Sequence, residues 1–252
     1  MNEKKKIKVA FFDFADCEGC QLQVTYLHTA LLDLLENVDI VEFREVMSEK
    51  SDIYDVAIVE GSITRQHDEE RIKKIRSAAK ILVAYGACAC TGGVNGIMRT
   101  GNHSPEEGQK LVYPDRPWKM ETGRVRAIDQ VVKVDAYIHG CPINNEEFAK
   151  ILKGLLLGSL YKVPTHAVCV ECKLKENVCL FEKGQACMGP VTRAGCGAWC
   201  TSYGNTCYGC RGLLDDYNKQ GQTDILEKYG YTLSLLTDKF NLYNGAKLGE
   251  KK

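Results

Sequence analysis

Along the first two thirds of the chain, short continuous apolar runs alternate with longer stretches that carry a helical repeat. Ile7–Phe14 (IKVAFFDF), Asp39–Val46, Tyr54–Glu60 (YDVAIVE), Ile81–Tyr85 (ILVAY) and Val134–Ile138 are brief β-branched or aromatic runs, the pattern of strands buried on both faces. Between them, Gln21–Leu35 gathers Leu22, Tyr26, Thr29, Leu31, Leu32 and Leu35 on one helical face. Gln66–Ala79 reads as a charged amphipathic helix and Asn144–Leu157 as a closing helix. Strands alternating with helices predict an α/β fold with a doubly wound parallel sheet. Residues 97–133, which include His103, Pro105, Pro114, Pro117 and Trp118, break the pattern and are expected to form a long surface excursion. Pro164 marks the expected boundary between residues 1–164 and residues 165–252.

Charge removes several classes of partner. Lys plus Arg and Asp plus Glu stand at 33 each in 252 residues, so no basic field draws nucleic acid or an anionic membrane. The most apolar stretch, Ile151–Tyr161, is broken by Lys153 and Gly154, which predicts no membrane span. The opening MNEKKKIKVAFFDF runs into a strand rather than a cleavage site, and no twin-arginine leader is read in it; a cytoplasmic protein is expected.

Sulfur then changes the picture of the second part. Eight of the thirteen cysteines fall between Cys169 and Cys210, where periodic apolar patterning nearly vanishes. An odd count in a reducing compartment argues against disulfides, so metal ligation is the economical reading. An irregular domain built around inorganic clusters is expected there, followed by a tail, Thr223–Phe240, whose Ile225, Leu226, Tyr229, Tyr231, Leu233, Leu235, Leu236 and Phe240 need somewhere to dock. The other cysteines sit after predicted strands: Cys17 and Cys20 after the first, Cys88 and Cys90 in YGACACTGGVNG after the fourth, Cys141 in HGCPIN after the fifth. The crevice at strand carboxyl ends is where such a sheet binds ligands, so these sulfurs are expected to converge. The glycines at 86, 92, 93 and 96 are expected to bring backbone amides close to cluster sulfurs. They match neither dinucleotide nor P-loop spacing.

In order, DCEGCQ (16–21), GACACTGG (86–93), GCP (140–142), CLFEKGQACMGPVTRAGC (179–196) and CYGC (207–210) resemble the small, electron-transferring subunit of nickel-iron hydrogenases. The resemblance spans nearly the whole chain. It implies a flavodoxin-like domain over 1–164 and a cluster domain with a docking tail over 165–252. It also implies three [4Fe-4S] clusters. Residue by residue, it places Cys17, Cys20, Cys88 and Cys141 at the proximal cluster, with Cys90 spare. Cys196, Cys200, Cys207 and Cys210 fall at the medial cluster, and Cys169, Cys172, Cys179 and Cys187 at the distal one. Two positions depart from periplasmic members: Cys169 stands where they carry a histidine ligand, and Cys200 lies in the region where a proline leaves their medial cluster with three. All-thiolate ligation removes two causes of raised potential, which places the chain nearest the cytoplasmic sulfhydrogenase, coenzyme-reducing and electron-bifurcating branch. The implied partners are a large subunit bearing the Ni–Fe centre and a further subunit carrying flavin or iron-sulfur groups.

Plainer readings stand beside this one. Cys169/Cys172 and Cys207/Cys210 are C-x2-C pairs, so two structural zinc sites are the rival, although their separation exceeds the usual zinc-ribbon gap. A stand-alone ferredoxin-like carrier is a second rival. The cluster subunit of respiratory NADH dehydrogenase resembles residues 1–160 but has no counterpart to Cys169–Cys210. Glu18 reads as a solvent- or partner-facing charge and His139 as a hydrogen-bonding neighbour of Cys141. His28 reads as an ordinary residue, His166 as a minor alternative to a thiolate near Cys169 against the C-x2-C pairing, and Tyr26, Trp199 and Tyr203 as packing.

Overall fold

The computed structural model describes residues 6–28, 32, 35–99, 104–115, 121, 123–159 and 161–248. His103, Pro117 and Trp118 of the expected excursion, and Thr29 and Leu31 of the first expected helix, lie outside the described residues, as do the side chains of Leu233 and Leu236.

Five strands form one parallel sheet: β1 (Ile7–Phe12), β2 (Val38–Glu42), β3 (Val56–Val59), β4 (Ile81–Tyr85) and β5 (Ala136–Ile138), in the order β2-β1-β3-β4-β5. This is the flavodoxin-like order, and its switch point lies between β1 and β3. Strand periodicity sorts the side chains cleanly. Val9, Phe11, Val56, Ile58, Val83 and Tyr85 pack on one face beneath α1 (Gly19–Thr25) and Phe148, Ile151 and Leu155 of α5 (Asn145–Leu156). Ala10, Phe12, Ala57, Val59, Leu82 and Ala84 pack on the other against Ile72 and Ile75 of α2 (Gln66–Ala78) and Cys90 of α3 (Gly86–Thr91). Such faces are worth about 1.5–3 kcal/mol for each large aliphatic side chain buried. Asn144 starts α5 by accepting the Glu147 amide at 2.9 Å. The excursion contains a helix, α4 (Pro105–Val112), capped by Ser104.

The first helix departs from its expected face. Leu22, Tyr26 and Leu32 are 42%, 55% and 64% exposed, whereas Cys20, Gln21 and Val24 are buried. Its N-terminal turn is set by the cysteine loop rather than by an apolar stripe.

After Pro164 come α6 (Val168–Leu174), α7 (Trp199–Ser202), α8 (Lys219–Lys228) and α9 (Leu233–Leu248). This part does hold an organic core: Val168, Phe181, Met188, Val191, Leu226 and Phe240 pack together with Cys187 and Cys207. Its members are scattered singly through loops and the tail, so no periodicity announces it. The tail also finds its dock. α9 lies against α3 and the 3-10 segment Gly93–Arg99, where Thr91 donates to the Tyr243 carbonyl at 2.6 Å and Lys247 pairs with Asp129 at 2.6 Å. A Cβ on Gly96 would lie 3.0 Å from the Ala246 amide, and one on Gly92, whose φ is +84°, would strike the Ala246 side chain. These two glycines therefore serve the helix contact and not the cluster sulfurs. Gly92→Ala combines a left-handed backbone with overpacking and is expected to cost about 2–4 kcal/mol, read as a lowered Tm with faster proteolysis within 233–248. An unchanged Tm would contradict the docking.

Candidate thiolate sites

Two peptide segments and a turn leave the carboxyl edge of the sheet carrying sulfur. The loop after β1 brings Cys17 and Cys20, α3 brings Cys88, and the turn after β5 brings Cys141. They share one neighbourhood. Burial pushes the Cys88 thiol up to about 12, helped by Cys141, Asp16 and Cys17 beside it, and Cys20 is raised by burial, by Glu60 and in part by Cys88. Glycines make the space: a Cβ on Gly86 (φ +83°) would lie 2.5 Å from Cys20 Sγ, and one on Gly93 (φ +54°) 2.9 Å from Cys88 Sγ. Cys90 is elsewhere, fully buried in the second sheet face with its thiol directed at the Ala84 and Ile138 carbonyls at 3.4 and 3.6 Å.

Carboxylates hold the Cys17–Cys20 loop. Asp16 accepts the Phe14 and Glu18 amides at 3.2 and 2.9 Å, and burial pushes its carboxyl up to about 6. Glu60, closing β3, is buried and accepts the Cys20 and Gln21 amides at 3.0 Å each, capping α1 from a neighbouring strand. Burial pushes Glu60 up to about 7 against those stabilising amides. Glu18 takes a left-handed backbone (φ 59°) and pairs with Arg44. Burial raises the Cys141 thiol, and from α9 the Tyr243 hydroxyl opposes this by hydrogen-bonding its sulfur.

A second group borders the first. Cys196, Cys200 and Cys210 line a cavity of about 490 Å³ together with Cys141, His139 and Arg211. Burial pushes Cys210 up to about 12; the Cys141 amide opposes this by hydrogen-bonding its sulfur, while Cys196, Cys141 and Cys200 add to it. Cys207 is buried beside Cys187 and Cys210, and its own amide donates to Cys187 Sγ at 3.3 Å. His139 is buried, stacked on Tyr137 at 5.8 Å, and held neutral by burial and by Arg211. The third group is Cys169 and Cys172 on α6 with Cys179 and Cys187. Burial first, then Cys187, Cys172 and Cys179, push Cys169 up to about 12. A Cβ on Gly189 would lie 3.1 Å from Cys169 Sγ and 3.4 Å from Cys187 Sγ. Glu171, between Cys169 and Cys172, accepts the Gly195 and Ala198 amides at 2.8 and 3.1 Å and so fixes the Cys196 loop. His166 contributes its carbonyl to Ala194.

Sequence reasoning passed over Glu60, Glu171, Arg211 and Tyr243. Glu60 had a signal, an acid ending a four-residue apolar strand. Tyr243 had none, because it arrives from the far end of the chain. Sulfurs buried this closely stay protonated on their own; crowded thiolates need a bound cation to be stable together.

A flavodoxin-type sheet whose strand ends present sulfur instead of a phosphate loop, joined to a second thiolate-rich unit, defines an electron-transfer subunit. The model of the family described as NADH ubiquinone oxidoreductase, 20 Kd subunit, matches residues 17–155, and the chain belongs to that family as a hydrogenase small subunit. That match ends before Cys169. Whole-chain likeness comes from hydrogenase relatives. Sulfhydrogenase 2 subunit delta of Pyrococcus furiosus is 37% identical over 88% of this chain and 93% of its own length. A subunit of the F420-non-reducing hydrogenase vhu of Methanocaldococcus jannaschii is 35% identical over 94% of this chain and 93% of its own. A chain of an NAD+-reducing [NiFe]-hydrogenase crystallised in the H2-reduced state superposes with a TM-score of 0.57 at 30% identity, over 64% of this chain and 96% of that one. The chain is thus a [NiFe] hydrogenase subunit, an oxidoreductase component whose relatives work in multisubunit enzymes with a large subunit. Among the described residues, no helix is long and apolar enough to cross a membrane.

Proposed function

We propose that this chain passes electrons between the Ni–Fe centre of a large hydrogenase subunit and a cytoplasmic partner carrying flavin or iron-sulfur groups, linked to ferredoxin or NAD(P). Three [4Fe-4S] clusters are its cofactors. Cys17, Cys20, Cys88 and Cys141 hold the proximal one, Cys196, Cys200, Cys207 and Cys210 the medial one, and Cys169, Cys172, Cys179 and Cys187 the distal one. Residues 1–164 form the proximal domain and 165–252 the domain with the other two and the docking tail. The clusters supply one-electron storage without bond making.

The observation that carries this reading is how the sulfurs are grouped. Cysteines from separate loops gather in three neighbourhoods, and Cys141, Cys196, Cys200 and Cys210 border one cavity of about 490 Å³. Sulfurs set around a space of that size suit a polynuclear cluster better than a single ion. The chain's own part is to hold these sulfurs in place and to aim amides and the Tyr243 hydroxyl at them, which favours the more negative state. Beside the proximal cysteines, Leu22 and Tyr26 at α1 and Val94 and Ile97 of the 3-10 segment that follows α3 are exposed, apolar side chains suited to the large subunit.

The test is metal and sulfide analysis of the chain purified anaerobically in its native complex. About twelve irons with equal acid-labile sulfide are expected for this chain, four for each cluster, beyond those of the Ni–Fe centre and the other subunits. Zinc without labile sulfide would overturn the assignment.

A further inference from the structure

Among the described residues, Arg211 is the largest side chain with almost no exposure (1%), and its partner Glu147 is 5% exposed. The guanidinium meets both Glu147 oxygens, at 2.6 and 2.8 Å, and donates to the Ala194 and His139 carbonyls at 2.7 and 2.6 Å. Each contact leads to a cysteine loop: Arg211 follows Cys210, Ala194 precedes Cys196 by two residues, and His139 precedes Cys141 by two. Glu147 belongs to α5, in the sheet domain. Gly195 leaves room for the guanidinium, since a Cβ there (φ +116°) would collide with it. An ion pair this dry is no gain over apolar side chains of similar volume, so its retention calls for a role.

We propose that Arg211 and Glu147 form the positioning pair for electron passage between the proximal and medial sites, locking the Cys141 loop against the Cys196 and Cys210 loops and balancing the charge beside the medial sulfurs. This rests on the ligand assignment proposed above. Across the locked loops one electron leaves the reduced proximal site and enters the oxidised medial site, with no bond made or broken and no proton moved. The bridge includes the Cys141 amide on Cys210 sulfur, which a loosened loop would lose. A positive charge favours the reduced, more negative medial site, and Glu147 offsets it.

The experiment is a potentiometric titration of the native complex followed by electron paramagnetic resonance. Arg211→Gln, leaving Glu147 uncompensated, is expected to lower the medial potential by about tenfold in its one-electron equilibrium, about 59 mV. Glu147→Gln is expected to raise it by a similar factor. A role limited to folding would move both variants the same way, or neither, and either result would overturn the proposal. Because losing one member of a buried pair endangers folding, Arg211→Met with Glu147→Met is the second arm. That double variant is expected to return the medial potential toward wild type while weakening the magnetic coupling between reduced proximal and medial sites; undiminished coupling would also overturn it. Absence of the iron signals from the unmodified complex would instead defeat the ligand assignment itself.

Discussion

Cys88→Ser is expected to abolish the proximal site and cut H2-dependent reduction of a soluble acceptor by at least about 100-fold, while Cys90→Ser leaves it intact. The two cysteines are two positions apart, yet the α3 helix sends them to opposite destinations. Cys88 turns toward Cys141, Cys17 and Cys20 at the sheet's carboxyl edge, and its thiol is pushed up to about 12 by burial among them. A hydroxyl there is a hard, weakly acidic donor in a place that needs a thiolate, so about four irons should be lost from the complex. Cys90 faces the Ala84 and Ile138 carbonyls, and a serine hydroxyl can donate to the same atoms. Its substitution should change stability by about 1 kcal/mol and the iron content not at all. Iron analysis and the resonance spectrum of each purified complex decide the matter, and the reverse pattern would exchange the roles of the two residues.

That contrast shows which parts of the site were legible in the chain. The sheet was, because runs such as VAIV and ILVAY are too short for helices and rich in β-branched residues, which suits a strand buried on both faces. The order of cysteines after strand ends was legible for the same reason, since a parallel sheet puts all its carboxyl ends on one edge. What failed to show was everything that depends on tertiary proximity. The apolar face of α1 looked like core, but Leu22 and Tyr26 are exposed, and an apolar helical face left at the surface has the same periodicity as one packed on a sheet. Gly92 and Gly96 looked like part of a cluster cradle but make way for Ala246, some 150 positions later in the chain. Arg211, Glu147 and Glu171 are ordinary charges in sequence; only folding brings them under the cysteine loops.

Cys200→Pro is the second large effect, and it is expected to convert the medial site to a [3Fe-4S] form, with a new resonance signal in the oxidised complex and a raised medial potential. The backbone can accept the change. Cys200 lies in the first turn of the four-residue helix α7, after Ala198 in a left-handed conformation (φ 52°), where amides have no partner within the helix and proline is tolerated. Its sulfur shares the medial cavity with Cys196, which adds to the burial that raises its thiol. Losing it leaves Cys196, Cys207 and Cys210, so the complex should lose about one iron. Cys200→Ala, which makes no demand on the backbone, should give the same signal and separates lost ligation from helix distortion. An unchanged spectrum in both variants would remove Cys200 from the ligand set. With a medial site raised above its neighbours, electrons from H2 should collect there, so reduction of a low-potential acceptor should slow far more than reduction of a high-potential dye. That asymmetry would tie one cysteine in α7 to the class of acceptor the enzyme can serve.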